Sequence, residues 1–247
     1  MTSVNNFLLS SEELYRFATL KAEHKDVTQR QLQALFQNFE VKVVMYVREP
    51  LDFAKSWYNE VNKSTLPIGR FSDFLFNLPL GYIDPRINAE FWRELFGHQS
   101  LILRRYDTQS TRHIEGLLET LGLNAGSLPS PSEERVHKKR DENTLERDRL
   151  AKIHAIKSEK ERHWWLTRNS LATDEGVTTL MKKLEGISQG YEAFCKMEGI
   201  GPSQSKLTLE AVLQHQKRVN PDNVTPPSKL QTQVQKMRSR LRRKLKR

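Results

Sequence analysis

Cysteine is almost absent. Cys195 is the single one in 247 residues, so no internal disulfide forms and the fold depends on packing alone. It stands beside Phe194 in a helical stretch and reads as a half-buried structural thiol. One unpaired cysteine fits a reducing, cytoplasmic setting. Long apolar runs are missing too: no stretch of about 18 apolar residues occurs, so no helical membrane span is expected. Met1 to Asn6 are polar and lack the positive region and apolar core of a signal peptide. Glycine is scarce early on; none precedes Gly69, which leaves no glycine-rich loop ahead of that point. The seven histidines show no His-Glu-x-x-His or paired-cysteine spacing, so no metal site is expected. A Gly-x-Ser-x-Gly elbow and a dinucleotide fingerprint are likewise lacking.

Acidic residues are missing from the end of the chain. Residues 229–247 hold nine Lys and Arg and no Asp or Glu, and the net charge of +10 falls to +1 without them. The basic character therefore belongs to the tail and is no sign that the whole chain binds nucleic acid. Leu230, Val234, Met237, Leu241 and Leu245 give that tail an apolar stripe at helical spacing. Three readings stay open: contact with an anionic membrane surface, pairing with another helix, or a solvated end. The solvated end leads, with the membrane surface next.

What the chain does contain is an alternation of strands and helices. Hydrophobic residues make up 37%, enough for a real core. Phe7-Leu8-Leu9 reads as a short strand, with Ser11 as cap of a helix starting at Glu12. Thr28 to Phe39 has helical periodicity. Val41 to Val47 is the strongest strand, β-branched and nearly continuous in apolarity, as in a sheet covered on both faces. Pro50 suits the first turn of a following helix, whose inward stripe is Leu51, Ala54, Tyr58 and Val61. Further helices are expected over Arg70 to Leu78 and Pro85 to Phe96, then a strand within Ser100 to Tyr106. A helix capped by Ser110 and ended by Gly122 follows. Such alternation predicts a parallel α/β sheet with helices on its faces. Three strands are few for such a sheet, which suggests that part of the fold lies upstream of Met1. Beyond the Leu128–Ser132 linker, with Pro129 and Pro131, the pattern is helical and charged, with helices over Asn143 to Trp165, Asp174 to Met197 and Lys206 to Arg218. The expected organisation is an α/β domain over 1–127, a helical continuation over 128–219, and a proline-containing linker with the basic tail over 220–247. Trp164-Trp165 reads as an anchor onto the domain, and Lys138-Lys139-Arg140 as a solvated face.

The chemistry concentrates around the second strand. In a parallel sheet, ligands sit beyond the carboxyl ends of the strands, and Arg48 leaves such an end. Its planar guanidinium can hold a phosphate with two hydrogen bonds. The structural alternative is a salt bridge to Glu49 or Asp52. Ser56 lies about two turns into the next helix, off the apolar stripe, where its hydroxyl can add a second contact.

Arg48, seven residues, then Ser56, within Arg-Glu-Pro-Leu-Asp and Ser-Trp-Tyr, resembles the 3′-phosphate-binding motif of sulfotransferases that use 3′-phosphoadenosine 5′-phosphosulfate. Leu8 to Glu12 and the stretch from Phe91-Trp92 to Leu123 resemble the bacterial, carbohydrate-directed branch of that family. The resemblance covers roughly residues 7 to 125 and implies a P-loop-like sheet. It implies Arg48 and Ser56 as cofactor-binding residues, and 3′-phosphoadenosine 5′-phosphosulfate as co-substrate with no metal. It also implies a carbohydrate hydroxyl as acceptor and Glu12 as the catalytic base. The family's glycine-x-x-lysine-x-glycine-threonine-threonine loop, which holds the 5′-phosphosulfate, has no counterpart here. Two explanations stand: the recorded chain starts downstream of that loop, or catalysis has been lost. The rival reading is a non-catalytic binding or scaffold protein whose basic tail meets a membrane surface or nucleic acid.

Overall fold

The computed structural model describes residues 8–9, 12–106, 112–123 and 140–222. After a 3₁₀ stretch over Glu12–Thr19 come α1 (Ala22–Phe36), β1 (Val43–Val47), α2 (Pro50–Val61), α3 (Phe71–Asn77), α4 (Pro85–Phe96), β2 (Leu101–Arg105) and α5 (Arg112–Thr120). The chain continues with α6 (Glu142–His154), α7 (Glu159–Thr167), α8 (Asp174–Met197) and α9 (Leu209–Val219). The protein is α/β with helices predominating and a parallel sheet of two strands among the described residues. No described helix is long and apolar enough to cross a membrane.

Local chemistry explains most boundaries. Three valines stiffen β1. Asp84 caps α4, its carboxylate accepting the backbone N–H of Arg86 at 3.0 Å, with Pro85 in the first turn. Gly97 ends the same helix at φ 89°, a conformation that L side chains avoid. Three expectations are corrected. Leu8 and Leu9 form no strand and are exposed; Phe7 lies outside the described residues. Leu8 and Leu9 pair with no strand among the described residues, so nothing there holds them in a sheet. The stretch from Asn143 to Trp165 is two helices rather than one. The chain breaks at Ala155, and Ser158 caps α7 by accepting the Glu161 N–H at 3.3 Å. Cys195 is fully buried rather than half-buried.

The described chain forms two compact units, interleaved along the sequence. The first comprises residues 1–50, 79–129 and 187–204, and the second residues 51–78, 130–186 and 205–247. The basic tail and Lys138-Lys139 fall outside the described residues.

In the first unit β1 and β2 pair in parallel, Val43 opposite Leu101 through Val47 opposite Arg105. The ladder extends one step further, the Tyr106 N–H donating to the Val47 carbonyl at 2.9 Å. One face of this sheet is the core face. Met45 and Val47 are buried there with Phe91, Trp92 and Leu95 of α4 and Tyr191, Phe194 and Cys195 of α8, while Val43, Leu101 and Leu103 pack alongside. Burying each large side chain of this set stabilises the unit by about 2 kcal/mol.

In the second unit α3 packs against α9, and α6 against α7 and α9. Of the expected stripe on α2, Leu51, Ala54 and Tyr58 are buried and Val61 is half-buried. The Tyr58 ring meets Phe71 and Phe74 edge-on, each at 5.3 Å. The ammonium of Lys183 donates to the carbonyls of Leu75 (2.7 Å), Phe76 (3.1 Å) and Leu78 (2.6 Å). These are the open carbonyls at the end of α3, which a lysine is suited to satisfy.

Candidate functional site

Side chains alternate across a strand, so the face of the sheet opposite the core carries Val44, Tyr46 and Arg48 from β1 and its end. From β2 and its end it carries Ile102, Arg104 and Tyr106. Contacts agree with this assignment. The Arg48 guanidinium lies over the Tyr106 ring, 5.2 Å from its centroid. The Tyr46 and Tyr106 rings meet edge-on at 6.5 Å, their planes at 87°. Burial pushes the Tyr46 hydroxyl above its ordinary pKa, and the charge of Arg104 works against that rise. The six positions therefore hold two aromatic rings and two guanidinium groups, and no carboxylate.

Arg48 sits at the carboxyl end of β1, as the sequence places it. Its Nε is buried without a hydrogen-bond partner, and no described residue forms an ion pair with it. The structural alternative named two carboxylates, and both are engaged elsewhere. Glu49, 8% exposed, turns to the core side, where it pairs with Arg105. Its carboxylate also accepts from Ser203 Oγ at 2.8 Å and the Gln204 N–H at 3.2 Å, with the Tyr191 hydroxyl at 3.4 Å. Asp52 pairs with Lys55 at 3.6 Å. Arg48 is thus half-buried, seated on an aromatic ring and without a counter-ion among the described residues, an arrangement in which a guanidinium can accept an anion.

The other two expected site residues lie elsewhere in the chain. Ser56 belongs to the second unit and is exposed on α2, off the Leu51–Ala54–Tyr58 stripe. Phe53 and Trp57 flank it on the same helix, their rings stacked at 6.1 Å. Glu12 opens the 3₁₀ stretch of the first unit, with no strand at Leu8-Leu9 to end beside it. The contacts of its side chain lie outside what the structure describes.

Sequence reasoning missed Tyr46, Arg104 and Tyr106 as site residues. The signal was present: Tyr-x-Arg and Arg-x-Tyr at period two on two neighbouring strands. Arg104 is held in place. One amino group donates to Thr120 Oγ1 of α5 at 3.0 Å, while its Nε is buried without a partner. Also missed was a buried polar cluster in the second unit. Arg149 binds Glu146 through two hydrogen bonds of 2.7 Å, both side chains being 5% exposed or less. Asn220 bridges Glu146 Oε2 at 2.6 Å and the Tyr58 hydroxyl at 3.0 Å.

No family model, curated protein or solved structure matches this chain.

Proposed function

We propose that the chain is a sulfotransferase-type protein that binds 3′-phosphoadenosine 5′-phosphosulfate through Arg48, with a carbohydrate hydroxyl as the sulfuryl acceptor. In this reading β1 and β2 are neighbouring strands of a P-loop-like sheet, and the nucleotide lies beyond their carboxyl ends. The observation that carries it is the state of Arg48. It stands at the carboxyl end of a parallel strand, on an aromatic ring, with both neighbouring carboxylates paired to other partners.

The residues fit the group they would hold. A guanidinium without a counter-ion among the described residues gains one in the 3′-phosphate, and its buried Nε gains an acceptor. Ser56 Oγ is the second donor that the family resemblance implies. The bound nucleotide supplies an activated sulfuryl group. Transfer requires alignment of donor and acceptor, stabilisation of charge on the oxygens, and a base for the acceptor proton. Glu12 is the assigned base on the strength of the family resemblance.

The test is thermal unfolding with and without 3′-phosphoadenosine 5′-phosphate. Saturating nucleotide at about 100 times its Kd stabilises a binding protein by about 2.7 kcal/mol, a rise of several degrees. The rise is expected in the wild type and lost in Arg48→Ala. A wild-type protein whose melting temperature ignores the nucleotide would sink the reading.

A further inference from the structure

The half-buried face of the sheet opposite the core carries two guanidinium groups. Arg48 and Arg104 are diagonal neighbours, because Val47 pairs with Arg105 and Tyr46 with Arg104. Two residues of strand rise and one inter-strand spacing separate their backbones by about 8 Å. Each side chain has a buried Nε without a partner, and each is held from one side, Arg48 by the Tyr106 ring and Arg104 by Thr120. Thr120 is itself fixed, its hydroxyl donating to the Gly116 carbonyl at 2.7 Å. Like charges this close repel, and none of the six described positions on this face is a carboxylate. Such an arrangement is costly alone and favourable with a polyanion between the two groups.

Resting on the assignment of Arg48 to the 3′-phosphate, the geometry points to Arg104 as a second anion contact, so that the two arginines take both phosphates of one nucleoside 3′,5′-bisphosphate. The two phosphates flank a single ribose, a span that two guanidinium groups on diagonal strand positions can bracket. Tyr106 acts as a positioning residue: its ring fixes the direction of the Arg48 fork. Arg104 is pre-set by Thr120, so little side-chain freedom is lost on binding.

The experiment is calorimetric titration of the full chain at low salt with three probes: adenosine 3′,5′-bisphosphate, adenosine 3′-monophosphate and inorganic pyrophosphate. Wild type, Arg48→Ala, Arg104→Gln and Arg104→Lys are compared, with thermal melts to establish that each is folded. The wild type is expected to prefer the bisphosphate to the monophosphate by about tenfold, one charge-assisted contact. Arg104→Gln erases that preference by weakening bisphosphate binding about tenfold more than monophosphate binding, Arg104→Lys restores part of it, and Arg48→Ala weakens both adenosine ligands. A bisphosphate preference that survives Arg104→Gln overturns the second contact while the Arg48 assignment stands. Pyrophosphate binding as tightly as the bisphosphate, and needing both arginines, keeps the two-arginine site and overturns the nucleoside. Binding of none of the three probes by the wild type overturns both.

Discussion

The Arg48 guanidinium rests on the face of Tyr106, 5.2 Å from the ring centroid, joining the ends of two parallel strands. A cation–aromatic contact at a half-buried site is worth about 0.5–1 kcal/mol, which corresponds to two- to fivefold in affinity for a ligand of Arg48. Tyr106→Leu is therefore expected to weaken adenosine 3′,5′-bisphosphate binding by that factor. Tyr106→Phe keeps the ring and should stay close to wild type. Titration of the two variants decides it: equal losses in both would assign the effect to the hydroxyl and remove the ring from the argument.

The buried pair of the second unit makes a different prediction. Glu146 and Arg149 are both almost fully buried, and Glu146 also accepts from Asn220 at 2.6 Å. Arg149→Met leaves a carboxylate in the interior without its counter-charge, at a cost of about 3–5 kcal/mol. The double variant Glu146→Gln with Arg149→Met removes both charges and keeps an oxygen for Asn220, so most of that loss should return. Urea unfolding of the single and double variants measures it. A single variant within about 1 kcal/mol of wild type would mean that the carboxylate takes up a proton or water at little cost.

The elements that sequence reading placed well are those whose ends carry local chemistry. Asp84-Pro85 and Gly97 bound α4, Pro50 starts α2, and valines mark β1. Where packing supplies no stripe, the reading fails. Helix α1 buries no residue, so nothing in its periodicity shows that it begins at Ala22 and not at Thr28. The break between α6 and α7 was legible after all, since Ser158 with Glu161 has the spacing of a capping box. In the site, the place of Arg48 followed from strand and proline. Its seat on Tyr106 depends on the register with β2, which no local signal sets. The Glu146–Arg149 pair lies in a stretch that reads only as helical and charged. Its burial depends on Tyr58 and Asn220, distant in sequence.

Lys152 gives a pH dependence with a definite sign. Its amine donates to the Asn62 carbonyl at 2.9 Å and to Asn62 Oδ1 at 2.5 Å. Burial lowers its pKa to about 8; nearby Arg140 and Arg149 push the same way and Asp148 opposes them. An unfolded lysine holds its proton to about pH 10.4. Between those values the unfolded chain binds more protons, so this group's contribution to stability rises with pH from about 8 to about 10.4. Below pH 8 the cost of burying the charge is present in full. Melting curves of wild type and Lys152→Met from pH 7 to 10 should therefore diverge in favour of the wild type as pH rises, against a constant gap if the amine does not titrate.

Three glycines of α8 meet different surroundings, and alanine at each should read them out. At Gly186 an added Cβ meets nothing within 4 Å, so Gly186→Ala gains only helix propensity, about 0.5–1 kcal/mol of stability. At Gly190 the Cβ would fall 2.2 Å from the Arg86 guanidinium, the far end of a flexible side chain. Arg86 must then leave its 2.6 Å contact with Asp84; water can replace that partner for Arg86, whose side chain is 40% exposed, but the Asp84 carboxylate is 7% exposed and loses its counter-charge in a buried place. That loss outweighs the propensity gain, so Gly190→Ala is expected to be less stable than Gly186→Ala. At Gly176 the Cβ would lie 2.0 Å from the Ser170 carbonyl oxygen, which is backbone and cannot swing aside. Ser170 is also tied by its N–H to Asp73 Oδ1 at 2.6 Å, so moving it strains a second contact. Overpacking of this kind costs about 1–3 kcal/mol, and Gly176→Ala should melt lowest of the three. Thermal unfolding ranks them directly, and a Gly176→Ala protein as stable as Gly186→Ala would show that the Ser170 turn yields freely.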